Sequence, residues 1–207
     1  VRTTCRCLEP LWDSYSMFLT SEESELTNEY LTQGYVVRPI KNLTSLDWIR
    51  AKFIRFSSDF LAMHIRHDPG KWLDQIHCQV SAYNLNEFRL EMIRKINAES
   101  ELRLRYFDLA QPRLEILAGN ELAMQTRLNL SIQLPGDNSS LLPIHADTWS
   151  GDSPFEVVVW IPLVDCYGTK SMYILPSEKE KRLRQQLFER GATDSNDLYE
   201  SIASDVR

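Results

Sequence analysis

The spacing of apolar residues changes once along this chain, near residue 120. Before that point they recur every three or four positions; after it they alternate with polar residues. The first pattern predicts a helix over 21–32, capped by Thr20 or Ser21 with carboxylates in its first turn and closed by Gly34. A short strand is expected at 35–40. Thr44 with Asp47 is a capping-box variant that opens a second helix. Its apolar face would be Leu46, Ile49, Phe53, Phe56, Phe60 and Met63. Asn84 with Glu87 opens another, whose buried stripe is Leu85, Phe88, Met92 and Ile96. Residues 99–110 suit helix or strand, and a short helix over 112–118 ends at Gly119.

From Glu121 the period is two. Leu128, Leu130, Ile132 and Leu134 alternate with Arg127, Asn129, Ser131 and Gln133, the signature of a half-buried strand. Pro135-Gly136-Asp137-Asn138 is a turn. Further strands are expected at 141–145, 156–164 and 171–175, with Trp160 in the core. Ser177 with Glu180 then caps a helix to Arg190, supported by the Glu178/Arg182 and Glu180/Arg184 pairs. Gly191 stops it, and a last short helix begins near Ser195. The fold class expected is α+β: helices over 20–120, a β-core over 121–176 and helices over 177–205, forming one domain over 17–207. Residues 1–16 show no periodicity, and orderly signals begin at Met17. That stretch is expected to be a non-native or disordered extension.

Composition narrows the function classes. The chain has 207 residues with 43% hydrophobic and 25% charged content, ordinary for one globular domain. A net charge of -6, well mixed along the chain, argues against nucleic-acid binding, which needs clustered Lys and Arg. The longest apolar run, 157–164, contains Pro162 and is too short to span a bilayer. Cys5, Cys7, Cys78 and Cys166 form neither a disulfide framework nor a zinc pattern, so reduced thiols in a cytoplasmic protein are expected. Sequons at Asn42, Asn129 and Asn138 are read as chance matches, no signal peptide being evident.

The chemistry concentrates at His145-Ala146-Asp147, placed after a turn and an expected strand. On extended chain, residues two apart point to the same side, so imidazole and carboxylate can reach one ion. A His-x-Asp pair supplies two of the three ligands in the facial triad of non-haem Fe(II) oxygenases. The bland alternative is a strand-end histidine hydrogen-bonded to an aspartate. The stripe Arg127, Asn129, Ser131 and Gln133 would line a cavity in a small barrel, or face solvent otherwise.

The stretch Asn129-Leu-Ser-Ile-Gln-Leu-Pro-Gly-Asp137, with Leu142-Pro-Ile-His-Ala-Asp-Thr-Trp149, Trp160-Ile-Pro-Leu-Val-Asp165 and Lys170-Ser-Met-Tyr-Ile-Leu-Pro176, resembles the 2-oxoglutarate/Fe(II)-dependent oxygenases. Within them it is most similar to the phytanoyl-CoA dioxygenase-like branch, and there to members from bacterial carbohydrate-biosynthesis clusters. Tyr30-Leu-Thr-Gln-Gly-Tyr-Val-Val37 resembles the family's entry to its barrel. The resemblance runs from about residue 20, and 121–176 is its specific part.

This resemblance implies N-terminal helices packed on a double-stranded β-helix, or jelly-roll, core. It implies His145 and Asp147 as Fe(II) ligands, with the carboxylate favouring hydroxylation or desaturation over halogenation. Gln133, Asn129, Lys170 and Tyr173 become candidates for holding 2-oxoglutarate, and Trp149 for facing a small-molecule substrate, a sugar or sugar-linked compound. The family draws its second histidine and a co-substrate arginine from later strands, and no histidine follows Asp147. His64, His67 and His77 are read as surface or packing residues. The expectation is therefore an incomplete barrel, about the first two thirds of such an enzyme and inactive alone, with an exposed strand edge that allows a homodimer. The contrasting reading is a non-catalytic jelly-roll module that binds carbohydrate or protein.

Overall fold

Helix α2 (Leu43–Phe60) is the element on which the rest is assembled. It carries Leu46, Ile49, Phe53 and Phe56 on one buried face, as its 3.6-residue spacing requires. The structure is a computed structural model that describes residues 18–64, 69–137, 145–153 and 155–175, and scattered positions between 179 and 189. Around α2 lie α4 (Leu85–Asn97) and α5 (Leu102–Asp108), which close the core with Leu85, Phe88, Met92, Ile96 and Leu102. Phe60 meets Phe88 edge-on, ring centroids 5.4 Å apart. Burying side chains of this size is worth about 1.5–3 kcal/mol each, so this cluster dominates the favourable side of folding. A second pair, α1 (Ser21–Gln33) and α6 (Gln111–Ala118), packs together beside it. The short α3 (Pro69–Trp72) ties back to α2 through the Trp72 indole N–H, which donates to Ser57 Oγ at 2.7 Å.

Local chemistry explains the helix ends. Thr20 and Glu23 form the reciprocal capping box at α1, and Gly34 closes it in the left-handed conformation at φ 82°. At α2 the cap is Asn42 rather than Thr44: its side-chain oxygen accepts from the Ser45 amide at 3.1 Å, so the helix begins earlier than expected. It also ends earlier, at Phe60, and Ala62 turns the chain at φ 50°. Met63 is thereby left outside the helix and partly exposed. The ambiguous stretch 99–110 contains the helix α5.

The expected β-core is not formed among the described residues. Residues 35–40, 121–134, 156–164 and 171–175 run without regular structure, and no β-strand occurs among the described residues. The double-stranded β-helix is therefore overturned, as is the short strand at 35–40. The alternation itself is real: Leu128 is buried and Leu130, Ile132 and Leu134 are half-buried, while Arg127, Asn129, Ser131 and Gln133 are exposed. A period of two reports two faces of an extended chain, not a partner for its backbone.

Here the partners are helix side chains. The Asn97 carboxamide grips Leu128 at both ends, accepting from its N–H at 2.8 Å and donating to its carbonyl at 2.9 Å. Arg103 donates to the Met124 carbonyl at 3.0 Å, Tyr106 to Val159 at 2.6 Å and Arg50 to Leu163 at 3.0 Å. The segments are thus laid singly on the helical layer. Trp160, expected in the core, is 43% exposed, while its neighbours Val159 and Ile161 are half-buried.

Residues 1–16, most of the expected strand at 141–145, and the helix near Ser195 lie outside the described residues. Lys179, Lys181, Arg182, Gln185, Gln186 and Glu189 are helical, which agrees with the helix expected over 177–190. Among the described residues, no helix is long and apolar enough to cross a membrane.

Candidate functional site

Ala146 is extended, at φ -122° and ψ 139°, and Asp147 opens a single 3-10 turn (Asp147–Ser150) that Gly151 closes at φ 96°. Turning the chain at Asp147 folds its carboxylate back toward the preceding imidazole. His145 Nε2 and Asp147 Oδ1 come to 3.7 Å, with side chains 46% and 49% exposed. Ion pairs this open to solvent add little to stability. The two groups can therefore serve a ligand without the fold depending on them.

Two cis ligands of an octahedral ion, each ~2.1 Å from the metal, stand ~3 Å apart. The observed separation exceeds that by less than an ångström. Among the described residues no third His, Cys, Asp or Glu joins them.

The other expected site residues are spread out. Asn129 and Gln133 lie on the exposed stripe of 127–133. Trp149 stands in the 3-10 turn after Asp147. Lys170 closes a second 3-10 turn (Gly168–Lys170), and its ammonium is bonded to the Asp74 carboxylate on the helical layer. The bond raises the Lys170 pKa and lowers that of Asp74. Lys170 also sits 5.5 Å from the Tyr167 ring centroid. The Tyr173 hydroxyl donates to the Gly168 carbonyl at 3.2 Å. Lys170 and Tyr173 thus stabilise the 168–173 turn, and each already has an intramolecular partner.

Residues absent from the expected set do much of the positioning. Asp74 anchors Lys170, while Asn97, Tyr106 and Arg50 hold the extended chain on either side of the His-x-Asp turn. Asn97 and Tyr106 sit among helix residues at spacings that carry no signal of such a role. Arg50 likewise reads as a solvated helix cation. His77 lines a shallow groove with Val80, Ser81, Ala82 and the 134–137 turn, its Nδ1 3.2 Å from the Asp74 carbonyl. Cys78 and Cys166 are free thiols, and burial pushes the Cys166 thiol up.

No protein-family model, curated protein or solved structure matches this chain.

Proposed function

We propose that this chain carries the metal-binding element of a non-haem Fe(II), 2-oxoglutarate-dependent oxygenase acting on a small molecule, a sugar or sugar-linked compound. The observation that carries this reading is the approach of His145 Nε2 to Asp147 Oδ1 at 3.7 Å on an exposed turn. Its second support is the resemblance of 121–176 to that family. Fe(II) held by His145 and Asp147 would, with 2-oxoglutarate and dioxygen, supply C–H hydroxylation chemistry, the keto acid being converted to succinate and CO2. His145 would offer an imidazole nitrogen and Asp147 a carboxyl oxygen. Gly151 lets the chain leave the turn without crowding either. Lys170 is the residue proposed to meet the far carboxylate of 2-oxoglutarate as a point charge, which requires exchanging Asp74 for that anion.

Two ligands make a weak site. Anaerobic equilibrium dialysis with Fe(II) should show low-affinity binding by the whole chain, lost in Asp147→Ala and in His145→Ala, with thermal melts unchanged. Equal Fe(II) binding by wild type and Asp147→Ala would end this reading. With two ligands only, succinate release from 2-oxoglutarate by this chain should be negligible. The second reading, a non-catalytic binding module, is favoured by the exposed apolar residues Phe155, Val158 and Trp160. It expects partner binding to be indifferent to Asp147→Ala.

A further inference from the structure

Helix α1, the segment 35–41 and helix α6 meet around a cleft of about 150 Å³ whose lining is divided by charge. Glu22, Glu25 and Leu26 stand three and four positions apart on α1 and so share one face of it. The cations come from the other two elements, Arg38 and Lys41 from the connecting segment and Arg113 from the first turn of α6. Leu26 is 4% exposed and Ile116, one turn on from Arg113, is half-buried, which gives the cleft an apolar floor.

The acidic and basic sets are not paired with each other. Arg38 is committed elsewhere: its guanidinium holds both carboxylate oxygens of Glu29, at 2.5 and 3.1 Å. That bond, and from farther off the charges of Glu22 and Glu25, raise the Arg38 pKa, so both carboxylates lie within its electrostatic reach. Arg113 reaches only the Pro39 carbonyl, at 3.5 Å, beyond the usual length of a hydrogen bond. Among the described residues, nothing bonds the side chains of Glu22, Glu25 or Lys41. With Arg38 neutralised by Glu29, the unpaired charges balance, Glu22 and Glu25 against Lys41 and Arg113.

A simple anion here would be repelled by the two carboxylates, and a simple cation by Lys41 and Arg113. A molecule that carries both charges satisfies the two sets at once. We propose that this cleft is a binding site for a small zwitterion, a free α-amino acid with a short apolar side chain. Its carboxylate lies between Lys41 and Arg113, whose planar fork matches it, and its ammonium lies against Glu22 and Glu25. Its side chain rests on Leu26 and Ile116. Size sets the upper limit: drug-sized ligands need ~300 Å³ or more, about twice the volume of this cleft. None of these residues belongs to the metal reading, and neither proposal depends on the other.

The probe is L-valine, titrated into the full chain and followed by amide proton–nitrogen correlation NMR. Saturable shifts should appear at 22–26, 38–41 and 113–116, in the millimolar range. Isovalerate keeps only the carboxylate of valine, and isobutylamine only its ammonium. Each should bind at least ~10-fold more weakly, because each leaves one set of charges unmet. Lys41→Met and Glu25→Gln, both at exposed positions, keep the stem and remove the charge. Each should weaken valine binding by a similar factor, with circular dichroism unchanged. A wild type whose amides do not respond to valine, or respond only in other segments, would overturn the inference. So would either half-molecule binding as tightly as valine, or valine binding undiminished in either variant.

Discussion

Helix α4 and the segment 127–134 each bury one face in the same core, yet their backbones are satisfied in opposite ways. α4 closes its hydrogen bonds within itself, so its packing side chains need only be apolar. The extended segment borrows its bonds from the helices, and at Leu128 both groups depend on the single carboxamide of Asn97. The helical region should therefore yield to loss of volume, and the extended region to loss of one polar group.

The largest effect expected is on the helical side. Phe88→Ala empties a site 2% exposed and removes the edge contact with Phe60, and should cost ~3–5 kcal/mol in urea unfolding. Asn97→Ala leaves the Leu128 N–H and carbonyl unpaired in a buried place, for a loss of ~2–4 kcal/mol. A change below ~0.5 kcal/mol in Asn97→Ala would erase the contrast between the two regions.

Tyr106 sharpens it with pH. Burial pushes its hydroxyl up to about 12, while the unfolded chain ionises near 10. Between these values the unfolded state releases a proton that the folded state keeps. Stability is therefore fully present below pH 10 and should fall by ~2–3 kcal/mol as pH rises toward 12. Tyr106→Phe should lack that slope and cost ~1 kcal/mol at neutral pH, through the lost bond to Val159. The smallest effect is expected at Lys170→Ala, where an exposed pair with Asp74 is removed. The melt should barely move, and what change there is should fade in salt.

These contrasts mark what was legible in the sequence. Helix positions were, because Leu85, Phe88, Met92 and Ile96 declare both a period and a buried face, and the helix bonds its own backbone. The half-buried character of 127–134 was legible for the same reason. Its pairing was not: alternation is blind to whether a backbone meets another strand or the side chain of Asn97, 31 residues away. At the candidate site, the closeness of His145 and Asp147 followed from their spacing. The tie of Lys170 to Asp74 spans 96 residues and has no local signature.

The long reach of those clasps bears on how the chain folds. The bonds that seat the extended segments join residues 31, 53 and 113 positions apart, whereas the helices are made from neighbours. Loop closure over such spans is slow compared with helix growth. The helical layer should form first as a template, with the extended chain arriving last. Under native conditions the order reverses: amides of 156–160 should exchange with deuterium soonest, and those of α2 and α4 only on global opening.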